Sequence, residues 1–206
     1  LVFGLLGFAS IATLSSRMTE RYLIREQADS LYDEANQIAS TYSGMYHGKD
    51  MDLISSYPQL VGSAHYLHAQ IWIIDRQGKI VVDSDQSERT GRVIDRFDPT
   101  AAGNKSYTIG TFYDQFTYDV LSVHAPITGN YTTYGYVVIH MPLSVLQNTR
   151  DGILNIVYIT LAVVFGLSLI ILLVFTKTVY FPLKKITAGA NEYAQGNLTY
   201  HIDVNT

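Results

Sequence analysis

Residues 153–176 read ILNIVYITLAVVFGLSLIILLVFT, and this stretch decides how the rest of the chain is organised. It lies within a longer run, residues 152–176, that contains no Asp, Glu, Lys, Arg or His. As a helix the stretch extends about 36 Å, enough to cross a hydrocarbon core of about 30 Å with some tilt. A core helix of a water-soluble protein of this length normally shows a polar face. We therefore predict a membrane-spanning helix over residues 153–176.

A shorter segment without charged residues, residues 1–16, opens the chain. As a helix it reaches only about 24 Å, and no convincing small-residue cleavage site of a signal peptide follows it. We expect a first membrane helix whose start is missing from this chain. Two such spans exclude an ordinary cytosolic globular protein.

The flank of the second span predicts its orientation. Lys177, Lys184 and Lys185 follow it closely, with no acid among them. Because positive residues collect at the cytoplasmic ends of membrane helices, this end is predicted to be cytoplasmic and residues 17–150 extracellular. The formal charge of −4 and the absence of cysteine argue against nucleic-acid binding and exclude a disulfide framework.

Residues 17–48 are predicted to form one long helix that continues out of the membrane. Its apolar residues recur at alternating spacings of four and three, at Ile24, Ala28, Leu31, Ala35, Ile38, Tyr42 and Met45. This stripe either packs on its own domain or faces a second copy of the chain, and both alternatives stay open. Asp50 can cap a second helical stretch, and Pro58 suits the first turn of a third.

The pattern then changes to one that predicts five antiparallel strands. They cover residues 70–74, 79–84, 106–113, 116–127 and 133–141. Gly78 suits the positive backbone φ of the turn between the first two strands. The expected fold class is an α+β membrane protein, in which two transmembrane helices flank a five-stranded antiparallel sheet with a long N-terminal helix.

The two predicted faces of the sheet differ, because side chains alternate along a strand. The aliphatic face is assigned to the long helix as the hydrophobic core: Ile71, Ile73, Ile80, Val82, Leu121, Val123, Ala125, Ile127, Val137, Ile139 and Met141. The other face carries aromatic rings and polar tips: Trp72, Tyr118, His124, Tyr136 and His140, with Tyr107 and Tyr113 as additions.

This second face is either a small-molecule pocket or a second small core beneath the connection over residues 91–103. We predict Trp72, Tyr107, Tyr118 and His124 as ligand-binding residues, with Arg92 as a partner for an anionic group. His65 and His68 are three residues apart and are expected to be surface histidines rather than metal ligands.

A proline just after the second span is predicted to break the membrane helix. In the new helix that follows Pro182, apolar residues recur with the spacing 3-4-3, and a glycine is placed to end it in a left-handed conformation. The candidate signal-transmission residues are Pro182, Leu183, Ile186, Ala190, Tyr193 and Gly196.

This C-terminal segment resembles the first helix and connector start of a HAMP linker. The resemblance rests on Pro182-Leu183-Lys184-Lys185-Ile186-Thr187, Ala190 and Tyr193-Ala194-Gln195-Gly196-Asn197-Leu198. It implies that residues 177–206 are a partial HAMP linker, without the second HAMP helix. Residues 17–150 resemble a single Cache, or extracellular PAS-like, sensor domain. That similarity rests on the long helix, on residues 71–84 (IWIIDRQGKIVVDS) and on residues 134–143 (YGYVVIHMPL).

The combination resembles the input half of a bacterial sensor histidine kinase. It implies a multi-pass homodimer in the plasma membrane that passes an extracellular small-molecule or envelope cue to a cytoplasmic kinase, and so to a response regulator. ATP and Mg²⁺ are expected only for that missing kinase, and no cofactor, metal or nucleic acid for this chain. The alternatives are the same module on a chemoreceptor, a diguanylate cyclase or a phosphatase, or a membrane-anchored binding protein without signalling.

No catalytic residue is predicted in the chain. A kinase phosphoacceptor histidine lies on a helix, whereas His201 sits in an extended stretch. The sequence also lacks a Walker A loop, a Gly-x-Ser-x-Gly elbow and a His-Glu-x-x-His motif.

Overall fold

The computed structural model describes residues 2–46, 53–85, 88–99 and 107–197. The helices are α1 (Val2–Tyr46), α2 (Leu53–Leu67), α3 (Leu143–Phe175) and α4 (Phe181–Ala194), with a π-helical turn at Thr176–Tyr180. The strands are β1 (Gln70–Asp75), β2 (Ile80–Asp83), β3 (Tyr107–Gly110), β4 (Val120–Gly129) and β5 (Thr132–Pro142). The chain divides into two compact units, one of Leu14–Gly152 and one of Leu1–Thr13 with Ile153–Thr206.

The five strands form one antiparallel sheet in the order β2-β1-β5-β4-β3, which confirms the predicted sheet. The central strand, β5, pairs with β1 from Gln70↔His140 to Asp75↔Gly135. Its other edge pairs with β4 from Val120↔Pro142 to Gly129↔Thr132. Both edges of β5 are therefore hydrogen-bonded, and the strand lies at the centre of the sheet.

The apolar stripe of α1 lies in the core of its own domain. The structure buries or partly buries Ile24, Ala28, Leu31, Ala35, Ile38 and Tyr42 in one cluster with the aliphatic sheet face. Burying a Leu or Ile side chain stabilises a fold by about 1.5–3 kcal/mol, so this cluster holds the long helix on the sheet. In the single chain, the stripe therefore packs on its own domain, which is the first of the two alternatives. The side chain of Met45 lies outside the described part of the structure.

Ile80 is on the opposite face from the one predicted. The pairing of β1 with β2 shifts between Ile73, which faces Val82, and Ile74, which faces Ile80. A bulge adds one residue to one strand and so reverses the face of the residues beyond it. Ile80 consequently joins a second cluster with Trp72, whereas the other predicted aliphatic residues lie in the core with α1.

Two predicted strand boundaries are wrong because of left-handed backbone. Phe112, Tyr113 and Asp114 have φ of 44°, 52° and 57°, a conformation that cannot continue a strand. Strand β3 therefore ends at Gly110, and β4 begins only at Val120. The hairpin turn between β4 and β5 falls at Asn130 and Tyr131, whose φ of 50° and 58° suit a type I′ turn.

The two predicted helices before the sheet are one helix. Pro58 lies inside α2 rather than at the start of a separate helix. A proline removes one backbone donor and crowds the preceding turn, but α2 continues through it. Asp50, the predicted cap, lies outside the described residues.

One helical run among the described residues is long and apolar enough to cross a membrane. It extends over Leu143–Ala194, and its most apolar window has a mean hydropathy of 2.8 with 0% of the window buried. This run contains the predicted span at residues 153–176. The apolar residues near the N-terminus are the first turns of α1, and their role as a further span stays a prediction.

Pro182 does not break this run, contrary to the prediction. The residues before it form a π-helical turn in which the Phe181 N–H donates to the carbonyl of Thr176, five residues back. A π turn holds one residue more than an α turn, and the wider turn accommodates the proline ring without ending the helix.

The predicted glycine cap of α4 is present. Gly196 has a φ of +87°, and its N–H donates to the Tyr193 carbonyl at 3.1 Å. The Asn197 N–H donates to the Glu192 carbonyl at 3.0 Å, which completes a Schellman motif. The seam residues Leu183, Ile186 and Tyr193 are 62%, 51% and 43% exposed.

Gly135 of β5 has no room for a side chain. A Cβ at this position would lie 2.4 Å from the carbonyl oxygen of Ile74 on β1. We expect Gly135→Ala to force the two strands apart and to lower the thermal unfolding midpoint of the detergent-solubilised chain. The matched control is Gly62→Ala in α2, where a Cβ meets nothing within 4 Å.

Gly62→Ala should leave the unfolding midpoint unchanged or raise it, since alanine favours a helix over glycine by about 1 kcal/mol. Equal midpoints for the two variants would contradict the close approach of β1 to Gly135.

Candidate functional site

The second face of the sheet carries an aromatic cluster formed by Trp72, Phe112, Phe116 and His140. Trp72 on β1 and His140 on β5 are both fully buried, with ring centroids 4.3 Å apart. Phe116 stacks on Trp72 at 5.3 Å with an interplanar angle of 11°. The ring centroids of Phe112 and His140 are 4.3 Å apart, with an interplanar angle of 62°. Offset and edge-on contacts of this kind stabilise beyond the area they bury.

The chain positions these rings by sheet register and by the left-handed turn before β4. His140 lies opposite Gln70 on β1, two residues before Trp72, so the two rings share one face. The turn closes through the Phe116 N–H, which donates to the Thr111 carbonyl at 3.1 Å. This closure brings Phe112 and Phe116 back over the same face of the sheet.

Within the described part of the chain, two buried polar atoms of the cluster have no hydrogen-bond partner, Nε1 of Trp72 and Nε2 of His140. The other imidazole nitrogen, Nδ1, lies 2.8 Å from Oγ of Ser122. A buried polar atom without a partner destabilises a fold by about 1–3 kcal/mol, and such atoms are uncommon in native proteins. The cluster therefore offers unused hydrogen-bonding capacity inside an apolar wall.

Burial, together with the smaller effect of the positive charge of Arg89, lowers the pKa of His140 to about 3. The imidazole is accordingly neutral at physiological pH. Where Ser122 donates to Nδ1, Nε2 carries the proton and is a donor.

Arg89 lies at the edge of the aromatic cluster. Its guanidinium carbon is 5.1 Å from the Phe116 ring centroid and 6.0 Å from that of Trp72. These distances are typical of cation–π contacts, so the arginine places a positive charge against the rings.

A cavity of about 380 Å³ opens beside the cluster and shares Phe116 and His140 with it. Its other walls are the end of α2, the start of β1, the residues after β2, and the strand ends of β4 and β5. They are formed by Val61, Ala64, His65, His68, Ala69, Gln70, Ser84, Asp85, Tyr118, Val120 and Pro142. Small-molecule sites in proteins have volumes of about 300–1,000 Å³, so the cavity fits a small ligand.

Hydrogen bonds fix the acidic side of the cavity mouth. Nε2 of Gln70 donates to Asp83 at 3.0 Å, and the Asp85 N–H donates to the same carboxylate at 3.0 Å. Oγ of Ser84 accepts from the Ile71 N–H at 2.9 Å. These bonds tie this part of the lining to β1 and β2; the exposed His65, on α2, and His68, just after it, also line the cavity.

Of the predicted ligand-binding residues, the structure brings Trp72 and Tyr118 together. Tyr118 is 51% exposed, lines the cavity and lies 5.6 Å from Phe116, which stacks on Trp72. The ligand role of these residues stays a prediction.

The other three predicted residues lie elsewhere in the domain. The ring centroids of His124 and Tyr136 are 6.3 Å apart. Burial lowers the pKa of the His124 imidazole, and a hydrogen bond with the Pro99 backbone partly offsets this effect. Arg92 is exposed and pairs with Glu88 at 3.8 Å. Tyr107 packs on the core with α1, on the other side of the sheet.

Sequence reasoning placed His140 on the aromatic face but did not select it for the site. It also missed Phe112, Phe116 and Arg89 as members of one cluster. Both phenylalanines lay inside predicted strands, and Arg89 lies in a connection without periodicity. Within the described ranges, no three His, Asp or Glu side chains are grouped so as to hold a metal ion.

No family model matches the chain, and no curated protein matches it. Among solved structures, it resembles the sensor domain of the V. cholerae histidine kinase DctB, at 19% identity and a TM-score of 0.37. It also resembles the ligand-binding domain of the Pseudomonas aeruginosa amino-acid chemoreceptor PctC in complex with GABA, at 13% identity and a TM-score of 0.43. A third similar structure is the ligand-binding domain of a Campylobacter jejuni chemoreceptor in complex with 4-methylisoleucine, at 15% identity and a TM-score of 0.36.

These similarities cover 62%, 66% and 68% of this chain, and 59%, 63% and 63% of the three solved chains in the same order. The neighbours are sensor or ligand-binding domains of histidine kinases and chemoreceptors. At these identities and TM-scores they assign neither a function nor a ligand to this chain.

The buried imidazole predicts a specific dependence of stability on pH. The unfolded chain protonates this histidine near pH 6.5, whereas the folded chain does so only at about pH 3. Acid therefore favours the unfolded state throughout that window, with a slope of up to about 1.4 kcal/mol per pH unit. We expect His140→Phe to flatten the fall in unfolding midpoint between pH 6.5 and pH 4.5, measured by thermal denaturation.

The matched control is His68→Gln, which removes an exposed histidine and should keep the slope of the wild-type chain. An unchanged slope in His140→Phe would show that His140 is not the buried neutral base.

Proposed function

We propose that this chain is the input portion of a transmembrane signal receptor. Its outer domain, residues 17–150, binds an extracellular small molecule in the cavity beside the aromatic cluster. The single observation that carries the proposal is that β5 ends at Pro142 and α3 begins at Leu143, with no residue between them. His140 and Pro142 line the cavity, so a binding wall and the membrane helix are one continuous piece of chain.

This continuity gives a ligand a direct way to move the helix. The Leu143 N–H donates to the Asp119 carbonyl at 3.0 Å, so the start of α3 is also tied to the residue before β4. A ligand that changes the position of β5 relative to β4 therefore displaces the first turn of α3. Only a ligand that binds two arrangements with different affinity shifts the equilibrium between them.

An ion pair ties α3 to α1 shortly before the membrane-spanning residues. Arg150 lies 3.4 Å from the carboxylate of Glu20 on α1 and 2.9 Å from Asp151. Solvent-exposed pairs of this kind stabilise only weakly. The pair therefore does not lock α3 in one position.

The segment after the membrane favours a helical output. The apolar seam of α4 is exposed in the single chain, although apolar side chains in water normally pack against a partner. We propose that α4 packs in a bundle with a second copy of the chain, as the HAMP resemblance implies. Pro182, Leu183, Ile186, Ala190, Tyr193 and Gly196 are the proposed transmission residues.

The proposed output is a cytoplasmic histidine kinase that uses ATP and Mg²⁺ and phosphorylates a response regulator. The receptor would then lie in a bacterial plasma membrane as a multi-pass homodimer. A chemoreceptor, diguanylate cyclase or phosphatase output would use the same input, and sequencing the gene beyond Thr206 distinguishes them.

The topology is testable because the chain has no cysteine, so a single introduced thiol reports one position. We expect a membrane-impermeant maleimide to label Thr128→Cys, at the exposed end of β4, in intact cells. Lys184→Cys, at the exposed start of α4, should be labelled only after permeabilisation. Labelling of both positions from the same side would contradict a membrane-crossing α3.

The ligand site and its coupling are testable together. A library of small metabolites is screened for compounds that raise the unfolding midpoint of the full chain in nanodiscs. The shift produced by a true ligand should be lost in Tyr118→Ala and His140→Ala, and kept in Tyr131→Ala, an exposed residue of the β4–β5 turn. The same ligand should change the disulfide crosslinking of single cysteines placed along residues 183–193.

Identical crosslinking with and without the bound ligand would contradict signal transmission through α3. A shift that survives Tyr118→Ala and His140→Ala would instead place the ligand outside the cavity.

A further inference from the structure

A second cavity, of about 370 Å³, lies between α1 and α2 and shares no lining residue with the first. Five residues of one face of α1 and three of α2 form it: Glu34, Gln37, Ile38, Thr41, Tyr42, Gln59, Leu60 and Ser63. Their spacings of three and four residues put each set on a single helix face.

The cavity has an apolar floor and a polar rim. Ile38, Leu60 and the ring of Tyr42 are buried, whereas Gln37 and Gln59 are exposed. A cavity with an apolar base and a few polar groups at fixed positions is the usual form of a small-molecule site.

Two polar groups in this cavity point to the chemistry of a ligand. The carboxylate of Glu34 accepts a hydrogen bond from Oγ of Ser63 at 3.3 Å, which holds it between the two helices. Tyr42 is only 3% exposed, and its buried hydroxyl has no hydrogen-bond partner among the residues that the structure describes. Burial raises the pKa of Tyr42, so the hydroxyl stays neutral and can both donate and accept.

The charge of the lining decides between ligand classes. Among the described residues that line the cavity, Glu34 is the only one with a charged side chain, so the described part of the lining is negative. An anionic ligand would meet this carboxylate without a compensating cation. An ammonium group supplies N–H donors for both the carboxylate and the hydroxyl, and its alkyl part fits the apolar floor.

We propose that the groove between α1 and α2 is a second ligand site, which binds a small primary amine. The ammonium group is held by Glu34 and by the hydroxyl of Tyr42, and the hydrocarbon part lies on Ile38 and Leu60. The site is on the helix side of the sheet and does not depend on the receptor function proposed above. A bound amine ties α1 to α2.

The test uses three probes of matched size on the full chain in nanodiscs of zwitterionic phosphatidylcholine: n-butylamine, butyrate and 1-butanol. Zwitterionic lipid avoids adsorption of the amine to the membrane. We expect a saturable rise in unfolding midpoint with n-butylamine and none with the other two probes. Equal rises with all three probes, or no rise with the amine, would overturn the proposal.

Two conservative variants locate the site. Glu34→Gln should abolish the amine-dependent rise, and Tyr42→Phe should reduce it while raising the midpoint of the ligand-free chain. The second effect follows because the variant removes a buried hydroxyl that lacks a partner. A merely structural role for Tyr42 would change the ligand-free midpoint alone.

The controls are Glu26→Gln, an exposed carboxylate elsewhere on α1, and Tyr118→Ala in the first cavity. Both should keep the full amine-dependent rise. Loss of the rise in Tyr118→Ala, its survival in Glu34→Gln, or an undiminished rise in Tyr42→Phe would refute an amine site between the helices.

Discussion

The structure depends on the position of β5, which is hydrogen-bonded along both edges and passes into α3 without a loop. A central strand cannot move alone, because any displacement breaks or shifts two ladders of backbone hydrogen bonds. The clusters on the two sheet faces add to this constraint, since β5 contributes Val137 and Ile139 to one and Val138 to the other. Displacement of β5 would therefore disturb the packing on both faces of the sheet.

Most of the architecture could be predicted from periodicity. The apolar run at residues 153–176, the heptad stripe of α1 and the strand alternation each follow from one repeat length, and each predicts the element that the structure contains. The errors fall where a local conformation interrupts the repeat. The bulge after Ile73 moved Ile80 to the other face, and the left-handed backbone at Phe112 and Tyr113 shortened two strands. Neither feature leaves a periodic signal.

The candidate site was less predictable than the fold, because it is assembled from segments without a repeat. Alternation placed Trp72 and His140 on one face, but the turn that carries Phe112 and Phe116, and the connection that carries Arg89, gave no such guide. Tyr107 illustrates the limit: strand β3 is short, and its register against β4 turns this residue to the helix side. The groove between α1 and α2 depends on how two helices meet, which a single sequence does not specify.

The π-helical turn before Pro182 has a consequence for comparing related chains. It holds an additional residue inside an otherwise α-helical run, and each residue of an α-helix corresponds to a rotation of about 100°. A heptad register that is continued from α3 without a break would therefore predict the wrong direction for the apolar seam of α4 around the helix axis. A relative that lacks the proline and is one residue shorter here would keep the same seam orientation, although a gap-free alignment would put its downstream helix out of phase.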